Sequence, residues 1–209
     1  MSNEKLNQRV IAYIDGFNLY YGVKAARWKR YYWLNLQTLV RNLLRPGQEL
    51  VFTKYFTSRV SYPPEKERRQ STFLEALETL DEFRIYYGHY QANPQTCKKC
   101  GNKVMIPSEK MTDVNIAVEI LTDAYQDMFD AAILISADSD LTAPVLAIKN
   151  QFPVKRIVIA FPPQRHSAQL ERLAHGSLQI GRAILAKSVF PNKVPKADGF
   201  ILQKPTEWI

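Results

Sequence analysis

Two carboxylates one residue apart, Asp138 and Asp140, are the side chains of this sequence best placed to do chemistry. They follow the apolar run from Ala131 to Ile135, which predicts a strand that is buried on both faces. In an open parallel sheet, ligands bind beyond the carboxyl ends of the strands. Two acids at such an end repel each other, and a divalent metal ion is the usual source of compensating charge.

The start of the chain repeats this pattern. Residues Val10 to Ile14 predict a second buried strand, which leads directly into Asp15, and Asn18 follows three positions later. Together with Asp138 and Asp140, these side chains would form a ring of hard oxygen ligands. Such a ring suits Mg²⁺ or Mn²⁺.

A further acid, Asp113, begins a segment with helical periodicity. Thr112 or Ser108 could cap this helix, and Lys110 lies about one turn before Asp113. We expect Asp113 to complete the acidic cluster. The apolar stripe of the helix is expected at Val114, Ala117, Val118 and Leu121.

Helix capping is the alternative interpretation of these acids. Asp138 or Ser139 could cap the following helix, and Asp140 could interact favourably with its dipole. For one strand end, capping would be the simpler explanation. Two strand ends with the same signature favour a metal site.

Three short motifs resemble those of a known family. Asp-Gly-Phe-Asn (15–18), Lys-Met-Thr-Asp-Val-Asn-Ile-Ala (110–117) and Ser-Ala-Asp-Ser-Asp (136–140) are similar to the motifs of the NYN domain family. That family is the LabA-like branch of the PIN-like nuclease superfamily. The motifs occur in the family's order, and the resemblance covers residues from about 9 to 162.

The resemblance implies a Rossmann-like α/β fold with strand order of about 3-2-1-4-5, and metal-dependent cleavage of RNA, expected to be single-stranded. Asp15, Asp113, Asp138 and Asp140 match the acidic positions of the family, and Asn18 matches its strand-one Asn. Some close relatives are instead hydroxylases of a succinoylpyridine in nicotine breakdown. A small-molecule hydroxylase and a non-catalytic RNA-binding or regulatory module therefore remain alternatives to a ribonuclease.

The composition is that of one globular domain with a small appendage. The chain has 209 residues, of which 46% are hydrophobic. We expect a domain over 1–190 with an irregular insert at about 92–108, followed by an extended tail over 191–209. No apolar run is long enough to span a membrane, and the first residues do not resemble a signal segment, so a cytoplasmic protein is expected.

The net charge of +8 favours a polyanionic partner, with basic surface to hold phosphate beside the acidic site. In the segment from Arg27 to Trp33, cations alternate with aromatic rings that could stack on unpaired bases. Alternatively, Tyr32 and Trp33 pack in the core and the cations only face solvent. The nucleic-acid contacts expected here are Arg27, Trp28, Lys29 and Arg30, together with Lys110.

The insert contains both cysteines of the chain, Cys97 and Cys100, spaced like one half of a zinc site. His89 and Glu109 could supply the other two ligands, or a partner copy in a homodimer could. The alternative is a turn with two free thiols. Lys98 and Lys99 make this insert basic, so it could bind RNA with or without Zn²⁺.

Strand and helix patterns alternate along the chain, which predicts an α/β fold with helices on both faces of the sheet. Beyond the last expected strand, Arg165 and His166 could contact a phosphate, and His175 is expected to act as a cation at a helix end. The tail is expected to be anchored by Phe200, Ile201 and Trp208. The expected elements are strand 10–15, helix 35–44, strand 50–60, helix 63–81, strand 84–90, helix 109–127, strand 130–136, helix 140–151, strand 155–161 and helix 164–174.

Overall fold

A six-stranded parallel sheet forms the centre of the molecule, with strand order β3-β2-β1-β6-β7-β8. A computed structural model of the chain describes residues 7–96 and 101–208; for residues 89–96 and 103–109 it describes the backbone only. The strands are β1 (Gln8–Asp15), β2 (Gln48–Thr57), β3 (Phe83–Tyr87), β4 (His89–Thr96), β5 (Lys103–Lys110), β6 (Ala131–Ile135), β7 (Arg156–Phe161), β8 (Gly176–Gln179), β9 (Lys193–Pro195) and β10 (Ile201–Gln203).

Helices cover both faces of this sheet. Residues of α1, α2, α3 and α7 share one core with alternate residues of β1, and residues of α4, α5 and α6 share the other. The helices are α1 (Gly16–Ala25), α2 (Leu36–Arg41), α3 (Pro64–Leu77), α4 (Thr112–Tyr125), α5 (Thr142–Gln151), α6 (Ala168–Leu173) and α7 (Arg182–Lys187). Short 3₁₀ turns occur at Lys29–Tyr31, Ser139–Leu141 and Thr206–Trp208.

The α/β fold class, the helices on both faces and the order 3-2-1-4-5 of the first five parallel strands are confirmed. Several elements were not predicted, including α7 after the sixth strand. A sixth parallel strand, β8, pairs with β7, and α1 begins directly after β1. The spacing of Leu19 and Val23, both buried on α1, is the signal that could have revealed that helix.

The predicted apolar stripe of α4 was wrong. Val114 is 56% exposed and Val118 is 55% exposed, whereas Ile116 and Ile120 are buried. The two valines and the two isoleucines are each four residues apart, so the sequence gives α4 two apolar faces, either of which could pack on the sheet. The face that packs on the sheet also includes Asp123, which forms an ion pair with a lysine of β2.

The insert contains regular structure and was wrongly expected to be irregular. β4 and β5 pair antiparallel from His89 opposite Lys110 to Thr96 opposite Lys103. Cys97 and Cys100, and with them Lys98 and Lys99, lie outside the described residues, so the zinc and RNA contacts expected there stay predictions.

The tail after residue 190 is anchored differently from the prediction. Phe200 and Ile201 are 61% and 50% exposed, while Val194, Leu202 and Trp208 are buried. β9 and β10 form a short antiparallel hairpin, and the alternation along it turns the first two of these buried residues towards the core. In the described ranges, no helix has the length and apolarity needed to cross a bilayer.

His175 accepts a hydrogen bond at Nδ1 from the backbone N–H of Ile157, at 3.0 Å. An imidazole nitrogen that accepts a hydrogen bond is unprotonated. Burial, with the nearby Lys149 and Arg156, also lowers the pKa of His175. The expected cation at a helix end is therefore wrong, and this histidine is a neutral link between β7 and β8.

The two faces of α4 should respond differently to truncation. Ile120→Ala removes a fully buried side chain and should lower the free energy of unfolding by about 2–5 kcal/mol. Val118→Ala, two positions earlier on the exposed face, should change it by less than about 0.5 kcal/mol. Urea unfolding followed by circular dichroism measures both. Equal losses would mean that the outer face of α4 is covered in solution.

Candidate active site

Side chains from the ends of β1 and β6 are hydrogen-bonded to each other at the carboxyl edge of the sheet. The two strands are neighbours, with Ile14 opposite Ile135. The hydroxyl of Ser136 donates to Oδ2 of Asp15 at 2.9 Å. The same hydroxyl oxygen accepts from the backbone N–H of Asp138 at 3.0 Å. Ser136 is fully buried, so the two strand ends are held together away from solvent.

Asn18 closes the other side of this network. Its backbone N–H donates to Oδ1 of Asp15 at 2.9 Å, and its side-chain oxygen accepts from the N–H of Ala137 at 3.2 Å. The amide nitrogen of Asn18 is the end of the side chain that this network leaves for a ligand. The sequence placed Asn18 in the site, and the structure gives it the additional role of fixing the β1–α1 turn to the β6 end.

The capping interpretation also describes part of the geometry. Asp15 is the N-cap of α1, and Asp138 caps the 3₁₀ turn after β6 by accepting from the N–H of Asp140 at 3.0 Å. Each cap uses one carboxyl oxygen. Within the described ranges, the hydrogen-bond network leaves the second oxygen of Asp138 and both side-chain oxygens of Asp140 without a donor.

Asp15 is an ionisable group in an environment that disfavours its charge. Its side chain is 3% exposed. Burial, and to a smaller extent the Asp138 carboxylate, raises the pKa of Asp15 above its ordinary value, although the hydrogen bonds from Asn18 and Ser136 oppose the shift. A cation next to this carboxyl would offset both causes.

Gly16 is required by the close approach of β2. A Cβ atom at this position would lie 2.7 Å from the carbonyl oxygen of Phe56 and 2.7 Å from the hydroxyl of Tyr55. Burial, and the charge of Asp15, raise the pKa of that hydroxyl, which keeps Tyr55 neutral. The phenol packs against the first residue of α1.

Asp113 lies in the first turn of α4, which starts at the same edge of the sheet because α4 runs back to the beginning of β6. Asn115 donates to the carbonyl of Tyr87 at the end of β3. Residues 113 and 115 are about 200° apart around a helix, so the two side chains leave α4 on nearly opposite sides. Lys110 is exposed just before this helix.

The described residues contain no group of three His, Cys, Asp or Glu side chains already arranged to hold a metal ion. The donor set nevertheless fits Mg²⁺ or Mn²⁺. Asp15 and Asp138 are hard oxygen donors, their mutual repulsion contributes to the raised pKa of Asp15, and a divalent ion would relieve it.

A buried ionic network that the sequence analysis missed holds α4 against the sheet. Nζ of Lys54 on β2 lies 2.6 Å from Oδ2 of Asp123 and 2.7 Å from Oε2 of Glu119. The hydroxyl of Tyr13 on β1 also donates to Asp123, at 2.5 Å. Burial opposes the charge of Glu119, but hydrogen bonds from Lys54 and Tyr86 lower its pKa. The network thereby positions the helix that carries Asp113.

In the segment from Arg27 to Trp33, some residues pack in the core and others are exposed, where they could contact nucleic acid. Trp33 is buried, as the core interpretation expects. Arg27, Lys29 and Arg30 are exposed, and the half-buried Trp28 lines a cleft beside the β7–α6 loop. This cleft also contains Arg165 and His166, which the sequence had placed near the site.

The family comparison agrees with this arrangement. The model of the NYN domain family matches residues 9–180. The chain belongs to the NYN domain family. NYN domains are a PIN-like nuclease family, and the matched residues include Asp15, Asp113, Asp138 and Asp140.

Individual relatives of this NYN domain are more distant. The 6-hydroxy-3-succinoylpyridine 3-monooxygenase HspA of Pseudomonas putida is 27% identical over an alignment 249 positions long, gaps included, which covers 100% of this chain and 77% of that protein. A crystal structure of a protein of unknown function from Vibrio parahaemolyticus is similar with a TM-score of 0.56 and 18% identity. The structural alignment covers 91% of this chain and 100% of the Vibrio parahaemolyticus chain. At this identity, the similarity to the Vibrio parahaemolyticus protein shows only a shared fold.

Replacing the buried acid of this NYN domain should make stability less dependent on pH. Because the pKa of Asp15 is raised above 3.8, the folded protein binds more protons than the unfolded chain just above that pH. The stability that Asp15 contributes is therefore complete below pH 3.8 and is lost as pH rises through the folded pKa. In EDTA at neutral pH, Asp15→Asn should melt a few degrees higher, since about 1 kcal/mol corresponds to roughly 2–4 °C.

Thermal melts of wild type and Asp15→Asn from pH 4 to 8 measure this effect. The matched control is Asp140→Asn, whose side chain is exposed and should leave the melting curve unchanged at every pH. A lower melting temperature for Asp15→Asn at neutral pH would contradict the expected destabilising charge.

Gly16→Ala should disturb the site and the fold together. The added Cβ would contact backbone of β2, which cannot move freely, so we expect a loss of about 1–3 kcal/mol in unfolding free energy. Gly176→Ala is the control, because nothing lies within 4 Å of a Cβ there. Urea unfolding compares the two variants. If they are equally stable, Gly16 is not held against β2.

Proposed function

We propose that this NYN domain is a metal-dependent ribonuclease that hydrolyses phosphodiester bonds of single-stranded RNA. The observation that supports it is the pair of strand-end carboxylates, Asp15 and Asp138, linked through Ser136 at the carboxyl edge of the sheet. Membership of a PIN-like nuclease family supports the same chemistry. The net charge of +8 adds the basic surface that an RNA substrate needs.

In this proposal Asp15 and Asp138 hold Mg²⁺ or Mn²⁺, with Asp140 and Asp113 completing the ligand set directly or through water. When bound, the ion supplies Lewis acidity: it lowers the pKa of a water molecule and offsets charge that develops on the phosphate.

The remaining groups of the chain orient and shield the reacting phosphate. The amide nitrogen of Asn18 donates to a phosphate oxygen, because its side-chain oxygen already accepts from Ala137. Lys110, exposed before α4, contacts a second phosphate. Asp15 and Tyr55 are both buried, so the phosphate would approach Asp15 from the carboxyl edge of the sheet. Water adds to phosphorus and gives up one proton to solvent as one P–O bond breaks, and the leaving oxygen takes a proton from solvent.

Hydroxylation of a small aromatic acid is the second candidate, and the name of the Pseudomonas putida relative favours it. That reaction consumes O₂ and a reductant such as NADH. The sequence lacks a G-x-G-x-x-G motif for a dinucleotide, so the reductant would have to bind in another way. Oxidation of NADH that depends on the aromatic substrate, in a fixed ratio to it, would identify this activity.

Cleavage of end-labelled single-stranded RNA is the direct test. The wild-type protein should cleave with Mn²⁺ and not with EDTA. Asp138→Asn should reduce the rate by more than about 100-fold, because even groups behind a metal ligand contribute about 10- to 100-fold. Asp198→Asn, the same change on the exposed part of the tail, should cleave like wild type.

Equal cleavage by wild type and Asp138→Asn would assign the activity to a contaminant. RNA binding without cleavage at any divalent ion would favour a non-catalytic module. No cleavage together with substrate-dependent NADH oxidation would favour the hydroxylase.

A further inference from the structure

A cleft of about 410 Å³ lies between the end of α1 and the loop that follows β7. Because all strands of the sheet are parallel, the ends of β7 and β8 share the edge that holds Asp15 and Asp138. The cleft therefore opens on the same side of the molecule as the acidic site. It is lined by Trp28, Pro163, Gln164, Arg165, His166, Gln179, Ile180 and Gly181.

The walls of the cleft are fixed by contacts that do not depend on a ligand. The side-chain nitrogen of Gln179 donates to the carbonyl oxygens of Phe161 and Pro162, at 3.1 and 2.5 Å. A Cβ atom at Gly22 would lie 2.7 Å from the carbonyl of Pro163, so α1 packs directly on the loop. A preformed cleft of this kind loses little entropy when it binds a ligand.

The side chains that line the cleft suit a ligand with a planar ring next to an anionic group. Trp28 offers a half-buried indole, and Arg165 a half-buried guanidinium. Among the lining residues, which all lie in the described ranges, none is acidic. His166 is already paired with Glu171 at 3.0 Å, which leaves Arg165 as the group suited to a phosphate. Exposed cations lie within two positions of the lining residues Trp28 and Gly181 in the sequence: Arg27, Lys29, Arg30 and Arg182.

An aromatic and basic surface connects this cleft to Asp15. α1 begins directly after Asp15, and its Phe17 and Tyr21 rings stack with centroids 6.3 Å apart. The ring of Tyr21 is 6.0 Å from the guanidinium of Arg165 and 5.6 Å from Nζ of Lys24. At roughly 1.5 Å per residue, Tyr21 lies about 9 Å along the helix from Asp15. The cleft lies beyond Tyr21 on this surface, where it could hold another nucleotide of a strand whose scissile phosphate is at Asp15.

We infer that this cleft is a nucleotide subsite in which an unpaired base stacks on Trp28 and an adjacent phosphate binds Arg165. The inference rests on the proposed RNA hydrolysis and adds a binding position for one nucleotide of the substrate, away from the scissile phosphate. A base inside the cleft cannot be paired, so the substrate is single-stranded at that nucleotide. Recognition depends on a ring and a phosphate, so it tolerates different bases.

Fluorescence anisotropy with labelled single-stranded RNA in EDTA tests the subsite without cleavage. Trp28→Ala should weaken binding by roughly 5- to 100-fold and leave the salt dependence unchanged, since stacking releases few counterions. Arg165→Gln should also weaken binding and make the slope of log K against log salt shallower by about 0.7, the share of one phosphate on a single strand. Trp28→Phe keeps a ring and should recover much of the affinity.

The controls make the same changes at the opposite edge of the sheet. Arg45→Gln lies in the α2–β2 connection, and Tyr125→Ala removes an 80% exposed ring at the end of α4. Both should bind RNA like wild type. Since Trp28 also packs on the core, thermal melting must show that each variant is folded, and Trp28→Phe and Arg165→Gln remain informative if Trp28→Ala is not.

The subsite and the proposed function can fail separately. Cleavage with Mn²⁺ by a wild type whose RNA affinity is unchanged in the Trp28 and Arg165 variants would overturn the subsite alone. Selective loss of affinity in those variants, without any cleavage by wild type, would support the subsite and overturn the nuclease.

Uridine monophosphate and nicotinate serve as competitors: displacement of RNA by the nucleotide supports the subsite. Binding of nicotinate but not the nucleotide would overturn it, because the cleft would then suit an aromatic carboxylate.

Discussion

The burial of the Asp15 carboxyl between two parallel strand ends is the constraint on which the site depends. A carboxyl that is 3% exposed needs partners for its oxygens, and Ser136 and the N–H of Asn18 provide them. These bonds fix the end of β6 relative to the start of α1, and Gly16 lets β2 approach from below. The geometry that satisfies Asp15 also places Asp138 beside it, which produces a site with excess negative charge.

Positive charge lies on the same side of the molecule as this acidic edge, at the far end of helix α1. Helix α1 leads from Asp15 towards Tyr21, Lys24 and Arg165, so the charge changes sign over a few turns of one helix. An extended polyanion could lie along such a surface with one phosphate at the acidic edge and its neighbours on the cations. The Lys54 network has a separate role, because it neutralises Asp123 inside the protein and thereby orients α4, whose first turn contains Asp113.

The chain belongs to a nuclease family, and one of its relatives is named as a monooxygenase. The two names point to different reactions. Function is determined by the groups at the site and not by the fold. In this chain both functions would use the same edge of the sheet, since a cleft that holds a ring and an anion suits a nucleotide and an aromatic acid alike. The two proposed functions differ in the role of Asp15 and Asp138. The nuclease proposal makes both of them metal ligands, whereas the hydroxylase proposal assigns them no role.

The sequence by itself determined the strands that end in Asp15 and Asp138 and the α/β fold class, because buried parallel strands are continuous apolar runs and their ends are marked by polar residues. The order of the first five strands followed only from the resemblance to the NYN domain family. Only the tertiary structure decided which apolar face of α4 is buried, since Val114 and Val118 match helical spacing as well as Ile116 and Ile120 do. It also assigned Ser136 its linking role and brought Trp28 next to Arg165, 137 positions apart in the numbering of the chain. Local patterns report the period and burial of one element, whereas these contacts form between elements that meet only when the sheet is assembled.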